Sequence, residues 1–94
     1  MRIEWLREAG QDLIEIRRYI AEDHPGAAVQ VAKRILDTIT YLRDHSGIGR
    51  AGRIPGTREL VIPGLPYIVP YRVKGEAIEI LGILHTSQEW PKEF

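Results

Sequence analysis

Four arginines in the second half of the chain have the chemistry to bind an anion. They are Arg50, Arg53, Arg58 and Arg72, and the first three share a stretch, 50–58, that contains no acidic residue. A guanidinium presents a planar fork of N–H donors that matches a carboxylate or a phosphate. We therefore predict that these arginines bind a negatively charged partner, with Arg58 and Arg72 converging on one face or edge of a sheet.

The same arginines have an ordinary structural explanation, which stays open from the sequence. Glu59, Glu76 and Glu79 follow them closely along the chain. Cross-strand pairs between opposite charges contribute about 0.2–1 kcal/mol each. The pattern therefore predicts either a binding patch or a set of ion pairs within a sheet.

His85 is the candidate for acid–base chemistry, because imidazole titrates close to neutral pH. It ends an apolar run and precedes the polar residues 86–88. The alternative is a polar residue at the end of a strand with no chemical role. The other two histidines lie far away in the sequence and the chain has no cysteine, so we predict no metal site.

Gly47, Gly49 and Gly52 match the spacing G-x-G-x-x-G. A dinucleotide-binding fingerprint requires a strand before these glycines and a helix after them. Here a predicted helix comes first and predicted strands follow, so we expect a loop over 46–56 and no cofactor.

Two helices and four strands must position these residues. Ala9, Leu13, Ile16 and Ile20 step by four, three and four, which predicts an amphipathic helix over 7–23. Pro25 suits the first turn of a second helix over 25–44. The short link between them predicts an antiparallel helix hairpin.

Strands are predicted at 2–6, 57–62, 67–73 and 77–84, with turns at Pro63-Gly64 and around Gly75. Pro70 marks a bulge or an unpaired position. The tail 86–94 is expected to cap the sheet with Trp90 and Phe94. The fold class is α+β in one domain, 1–94: an N-terminal strand, an antiparallel helix hairpin, then a three-stranded antiparallel meander, in two layers. The predicted core comprises Leu13, Ile16, Ile20, Ile35, Ile39, Val61, Val73, Ile80 and Ile83.

Composition narrows the function classes. Thirteen basic residues balance 13 acidic ones, which argues against a dedicated nucleic-acid binder. The longest apolar stretch, 60–71, contains three prolines and a glycine, so it does not predict a membrane span. The N-terminus is charged, which excludes a signal peptide and favours a cytoplasmic protein.

Several segments together resemble the RelE/ParE toxin superfamily. They are GRAGRIPGTRELV over 49–61, YIVPYRV over 67–73, ILGILH over 80–85, and the helical pattern AGQDLIEIRRYI over 9–20, followed by Ala27-Ala28. The resemblance covers nearly the whole chain in order and matches the α+β plan. It implies the toxin of a type II toxin–antitoxin, or plasmid stabilisation, module. Such a toxin forms a hetero-oligomer with an antitoxin whose flexible C-terminal segment wraps the helix hairpin and the sheet.

The resemblance implies one of two targets. RelE-like members cut mRNA on the ribosome, whereas ParE-like members poison DNA gyrase. RelE-like members often carry an arginine after the tyrosine that begins the 67–73 motif, where this chain has Ile68, and lysines ahead of it, where this chain has none between Lys33 and Lys74. Tyr71-Arg72-Val73 and Leu84-His85 are closer to the ParE pattern.

These departures favour a gyrase poison that acts by binding, without catalysis by this chain. The alternative is a ribosome-dependent endoribonuclease with the reduced set His85, Arg58 and Arg72. A third alternative, from another class, is a non-toxic module that binds an acidic peptide.

Overall fold

Two helices pack on one face of a six-stranded mixed sheet in the computed structural model, which describes residues 1–94. The elements in chain order are β1 (Arg2–Trp5), α1 (Arg7–Ala21), α2 (Pro25–Tyr41), β2 (Arg50–Ala51), β3 (Arg58–Val61), β4 (Tyr67–Lys74), β5 (Ala77–Ile80) and β6 (Leu84–His85). The predicted α+β class is confirmed.

The helices form where the apolar stripes predict them, but both end earlier. Pro25 occupies the first turn of α2, where its missing N–H costs nothing. α1 ends at Ala21 rather than 23, and α2 at Tyr41 rather than 44. After Tyr41 the chain continues in single turns, in which each N–H from Leu42 to His45 bonds the carbonyl three residues back.

The sheet has the strand order β1-β5-β4-β3-β2, with β6 also paired to β4. The meander β3-β4-β5 is antiparallel, as predicted. β1 pairs with β5 in parallel. Parallel strands need a long crossover connection, and the helix hairpin provides it by carrying the chain across the sheet. The predicted loop 46–56 contains β2, a two-residue strand that pairs with β3.

The predicted strand 77–84 is interrupted near Pro70. Pro70 has no N–H to give to a ladder, although its carbonyl accepts the N–H of Leu81 at 2.9 Å. β5 therefore stops at Ile80, and β6 resumes pairing with β4 at Leu84. In the gap, the N–H of Ile83 donates to a carboxylate oxygen of Asp12 on α1 at 2.9 Å.

The core lies between the helices and the sheet. The predicted residues Ile35, Ile39, Ile80 and Ile83 are buried, while Leu13 and Ile16 pack against them and Ile20 is half-buried. Val61 and Val73 were wrongly predicted to be core residues, since they are 47% and 44% exposed. Val61 lies opposite Ile68, on the sheet face away from Leu60 and the core. Val73 lies next to the β4–β5 turn, beyond Tyr71, where the pairing of β4 with β3 ends, so one side of it has no neighbouring strand.

No helix of the structure combines the length and the apolar character needed to cross a lipid bilayer.

Candidate anion-binding face

Two of the arginines singled out in the sequence meet around one buried carboxylate, that of Glu59. β2 and β3 pair so that Arg50 lies directly across from Glu59. Two nitrogens of the Arg50 guanidinium, Nε and one Nη, donate to the same carboxylate oxygen at 3.2 and 3.0 Å. The other oxygen accepts the backbone N–H of Arg53 at 2.8 Å and its Nε at 3.1 Å. We call Arg50, Arg53 and Glu59 the ion triad.

A short closed loop brings Arg53 back to Glu59. The N–H of Gly52 donates to the carbonyl of Thr57 at 2.8 Å, and the Thr57 hydroxyl donates to the carbonyl of Ile54 at 2.6 Å. A side chain on Gly52 would collide with Thr57, so the backbone there approaches too closely for any other residue. Gly52, the last glycine of the G-x-G-x-x-G spacing, therefore allows the tight loop that orients Arg53, and no phosphate-binding helix follows it.

The ion triad carries one net positive charge, because two guanidinium groups share one carboxylate. Glu59 is 3% exposed, whereas the Arg50 and Arg53 side chains are 55% and 49% exposed. Burial raises the pKa of Glu59, but the hydrogen bonds from Arg53 and Arg50 together outweigh it and hold the pKa below its usual range. The carboxylate thus stays ionised and fixes both arginines, while their outer edges face solvent.

Trp90 in the C-terminal tail covers part of this surface. Its ring lies 3.6 Å from the guanidinium carbon of Arg53, within range of a cation–π contact. We expected Trp90 to cap the sheet, and its partner in the structure is this arginine. A lone tryptophan in a polar tail, close to an arginine-rich loop, is the sequence signal for such a contact.

Arg58 holds the preceding loop instead of facing a partner. One guanidinium nitrogen donates to the carbonyls of Gly49 and Gly47 at 2.8 and 3.3 Å. Beside it the buried hydroxyl of Tyr71 accepts the Gly49 N–H at 2.9 Å and donates to the Ser46 carbonyl at 2.8 Å. The sequence placed Tyr71 in a ParE-like motif, but a tyrosine within an apolar strand gives no signal that its hydroxyl holds a distant loop.

Arg72 lies on the other face of the sheet from Arg58. Arg58 pairs with Tyr71 across β3 and β4, so the next residue, Arg72, points to the opposite side. The predicted convergence of Arg58 and Arg72 is therefore wrong. Arg72 bonds Glu79 of β5 at 2.6 Å, and this hydrogen bond lowers the pKa of the Glu79 carboxyl.

Arg72 shares its face with the ion triad instead. Arg50 pairs with Glu59, and Glu59 pairs with Pro70, which lies two residues before Arg72 on β4. Positions two apart along a strand lie on the same side. Arg50, Arg53 and Arg72 therefore share the sheet face away from the helices, which we call the arginine face.

His85 occupies a separate cleft between α1 and β6. It lies opposite Tyr67, with the two rings edge-to-face at 5.4 Å between centroids. Its Nδ1 accepts the backbone N–H of Ser87 at 3.1 Å, which leaves Nε2 as the protonated nitrogen in the neutral ring. The partners of His85 and Arg58 on β4, Tyr67 and Tyr71, are four positions apart, about 13 Å along the strand. The set His85, Arg58 and Arg72 is not brought together.

The side chains around His85 are acidic and aromatic. Asp12, Glu15, Tyr19 and Tyr67 line the cleft with it. Burial raises the pKa of Asp12, and burial followed by the nearby Tyr19 raises that of Tyr67. Among the residues of the cleft, His85 is of the type that most often serves as a general acid or base. No group of three or more potential metal ligands occurs in the structure.

Comparison with known proteins identifies the fold. The structure superposes on a chain of the chromosomal ParDE toxin–antitoxin system from P. aeruginosa with a TM-score of 0.84 and 32% identity, over 90% of this chain and 95% of that one. Such agreement assigns the fold to the small α+β toxins of the ParE/RelE type.

The family model for the ParE toxin of the type II toxin–antitoxin system parDE matches residues 3–90. The chain is 44% identical to "Putative toxin Y4kP" of Sinorhizobium fredii, over 97% of this chain and 94% of that protein. It is 32% identical to toxin RelE3 of Caulobacter vibrioides, over 85% and 88% of the two chains. The chain therefore belongs to the ParE toxin family and is a toxin of the ParDE/RelE type.

Proposed function

We propose that this toxin arrests growth by binding DNA gyrase through its arginine face, and that a cognate antitoxin neutralises it. The gyrase assignment rests on the family match, on the ParE-like motifs Tyr71-Arg72-Val73 and Leu84-His85, and above all on the separation of the candidate catalytic groups. This activity belongs to the cytoplasm, where DNA is supercoiled.

The separation of those groups supports binding over catalysis. Cleavage of RNA requires a base for the 2′-hydroxyl, an acid for the leaving oxygen and cations at the phosphorus, all in contact with one phosphate. His85 lies in the acidic cleft beside α1, and Arg72 lies on the other face of the sheet. One phosphate does not reach both residues without a rearrangement of the sheet.

The electrostatics of the arginine face support an acidic binding partner. The two arginines of the ion triad are fixed by Glu59 and keep about half of their side-chain surface exposed. Preorganised guanidinium groups lose little freedom when they bind a carboxylate or phosphate. Arg72 is less available, because it is bonded to Glu79 and 36% exposed.

The test is a supercoiling assay with purified gyrase and purified toxin, run beside an assay of mRNA cleavage on translating ribosomes. We expect inhibition of supercoiling and intact mRNA. Replacement of both triad arginines, Arg50→Gln with Arg53→Gln, should abolish the inhibition. Lys33→Gln is the matched control, because Lys33 is an exposed cation on α2, away from the arginine face. Equal loss of inhibition in Lys33→Gln would contradict a specific role of the triad.

The second candidate is a ribosome-dependent endoribonuclease, favoured by the RelE relatives and by the position of His85 in a polar cleft. A general acid or base contributes about 10²–10⁴-fold to a rate. Loss of both mRNA cleavage and toxicity in His85→Ala would establish the nuclease and overturn the gyrase proposal. Survival of toxicity in His85→Ala, with loss in the Arg50/Arg53 double variant, supports the binding poison.

The remaining alternative, a non-toxic peptide-binding module, is tested by expression of the chain alone. Full growth after induction of the toxin without its antitoxin would exclude growth arrest by this chain. We expect arrest that co-expression of the adjacent small reading frame relieves.

A further inference from the structure

The strand β1 forms an open edge of the sheet. It is the terminal strand in the order β1-β5-β4-β3-β2, and only β5 pairs with it. Natural proteins usually protect such an edge, because its unpaired N–H and C=O groups attract another strand. β1 is short, but no proline or bulge blocks it.

The backbone groups that face this open edge belong to Ile3 and Trp5. The N–H groups of Arg2 and Leu6 donate to the carbonyls of Glu76 and Ile80, on the β5 side. Backbone groups alternate in direction along a strand, so those of Ile3 and Trp5 point away from β5. Each of these two residues therefore offers a donor and an acceptor to a further strand.

The side chains on the edge are complementary to a second copy of themselves. Arg2 and Glu4 carry opposite charges two residues apart, bond each other at 2.7 Å within one chain, and are 66% and 46% exposed. In an antiparallel pair centred on Ile3, Arg2 of each copy lies directly across from Glu4 of the other. These positions form non-hydrogen-bonded pairs, in which facing side chains come closest.

We propose that β1 mediates a homodimer of the toxin, in which two copies pair antiparallel about a two-fold axis at Ile3. Ile3 of each copy exchanges two hydrogen bonds with Ile3 of the other, and two Arg2–Glu4 pairs flank them. The two five-strand paths become one continuous sheet. The occupant of this edge is a second copy because the alternating charges complement each other in this register.

An apolar groove beside β1 supplies the rest of the interface. Met1, Ile3 and Trp5 line it from the strand, and Leu36 and Ile39 line it from α2. Met1 and Leu36 are 38% and 42% exposed in the single chain. The two-fold axis brings the grooves of both copies side by side, so these side chains lose contact with water when the dimer forms.

A charge swap tests the proposal on the purified full-length chain by analytical ultracentrifugation over a concentration series. We expect the wild type to dimerise. Glu4→Arg should raise the dimer dissociation constant about tenfold, because two attractive pairs become two repulsive ones. Combining it with Arg2→Glu restores opposite charges at both pairs and should restore dimerisation.

Glu22→Arg is the matched control, since it makes the same charge change at an exposed site near the end of α1. It should leave dimerisation unchanged, and thermal unfolding of every variant checks that the fold is intact. A wild type that is monomeric throughout, or a double variant as weak as Glu4→Arg, overturns the proposal. A monomeric chain whose affinity for the antitoxin falls in Glu4→Arg would instead assign the edge to the antitoxin. The proposal does not depend on the identity of the toxin's target.

Discussion

Tyr71 shows how one hydroxyl can organise a functional loop. The phenol is fully buried, accepts the Gly49 N–H and donates to the Ser46 carbonyl. Tyr71→Phe leaves both backbone groups without their partner, so we expect a loss of about 1–3 kcal/mol in the free energy of unfolding. Urea denaturation measures it. The control Tyr19→Phe, at a tyrosine 76% exposed, should change stability by less than about 0.5 kcal/mol; equal losses would contradict the role of the buried hydroxyl.

Glu59 should make stability depend on pH. The pKa of Glu59 is lower in the folded chain than its usual value of 4.5, so the folded state favours the ionised form. The stabilisation is therefore fully present above pH 4.5 and is lost as pH falls through the folded-state pKa. We expect Glu59→Gln to be less stable than wild type at pH 7 and to approach it in acid.

Denaturant unfolding of both proteins at several pH values measures this difference. Asp12, whose pKa is raised mainly by burial, contributes a slope of the opposite sign. Both proteins contain Asp12, so the comparison cancels its effect. A stability gap that widens as the solution becomes acidic would contradict the ion triad.

At the residue scale, the sequence identified the arginines and their candidate acidic partners, but not which of these residues meet. The ion-pair interpretation holds, because Arg72 pairs with Glu79 while Arg50 and Arg53 share Glu59. Binding of an anionic partner stays a prediction. The register of strands decides which residues meet. A two-residue strand such as β2 is too short to show apolar–polar alternation, so nothing in the sequence predicted the contact between Arg50 and Glu59.

At the scale of elements, burial should separate two isoleucines on the helices. Ile39 on α2 is 1% exposed and Ile14 on α1 is 55% exposed. We expect Ile39→Ala to cost about 2–4 kcal/mol, since it removes buried methyl groups and leaves a cavity. Ile14→Ala makes the same chemical change at the surface and should cost less than about 0.5 kcal/mol. Thermal and urea unfolding measure both, and a loss below that limit for Ile39→Ala would show that α2 does not bury this face.

The helices were predictable because their apolar stripes repeat over many turns, whereas strand ends were not. The alternation of apolar and polar residues along a short strand does not show which of its positions other elements cover. Val73 satisfies the pattern of β4 yet is 44% exposed, because the pairing of β4 with β3 ends at Tyr71. Pro70 did signal an irregularity, and the break in β5 occurs opposite it.

At the scale of the whole molecule, the antitoxin should stabilise the toxin by mass action. A ligand that binds only the folded state adds about 2.7 kcal/mol at a hundred times its Kd. For a domain of this size, that corresponds to a rise of about 10–20 °C in Tm. Calorimetry at increasing antitoxin concentration checks the expectation. A Tm that does not change with antitoxin concentration would exclude binding to the folded toxin.

The α+β class followed from the order of elements, but the place of β1 did not. The sequence of an edge strand does not show which strand it pairs with, and β1 could have joined either end of the meander. Its parallel pairing with β5 depends on how the helix hairpin crosses the sheet, which is a property of the whole chain.

This pairing also governs when a newly made chain becomes active. Arg2 pairs with Ala77, and Asp12 bonds the N–H of Ile83. These contacts of the first residues synthesised cannot form until residues near the end of the chain have been made. At about 5–20 residues per second, the ribosome needs several seconds to synthesise the residues between Arg2 and Ala77. The nascent toxin therefore remains without its complete sheet during translation. Toxicity that requires the folded sheet therefore begins only after nearly the whole chain has been synthesised.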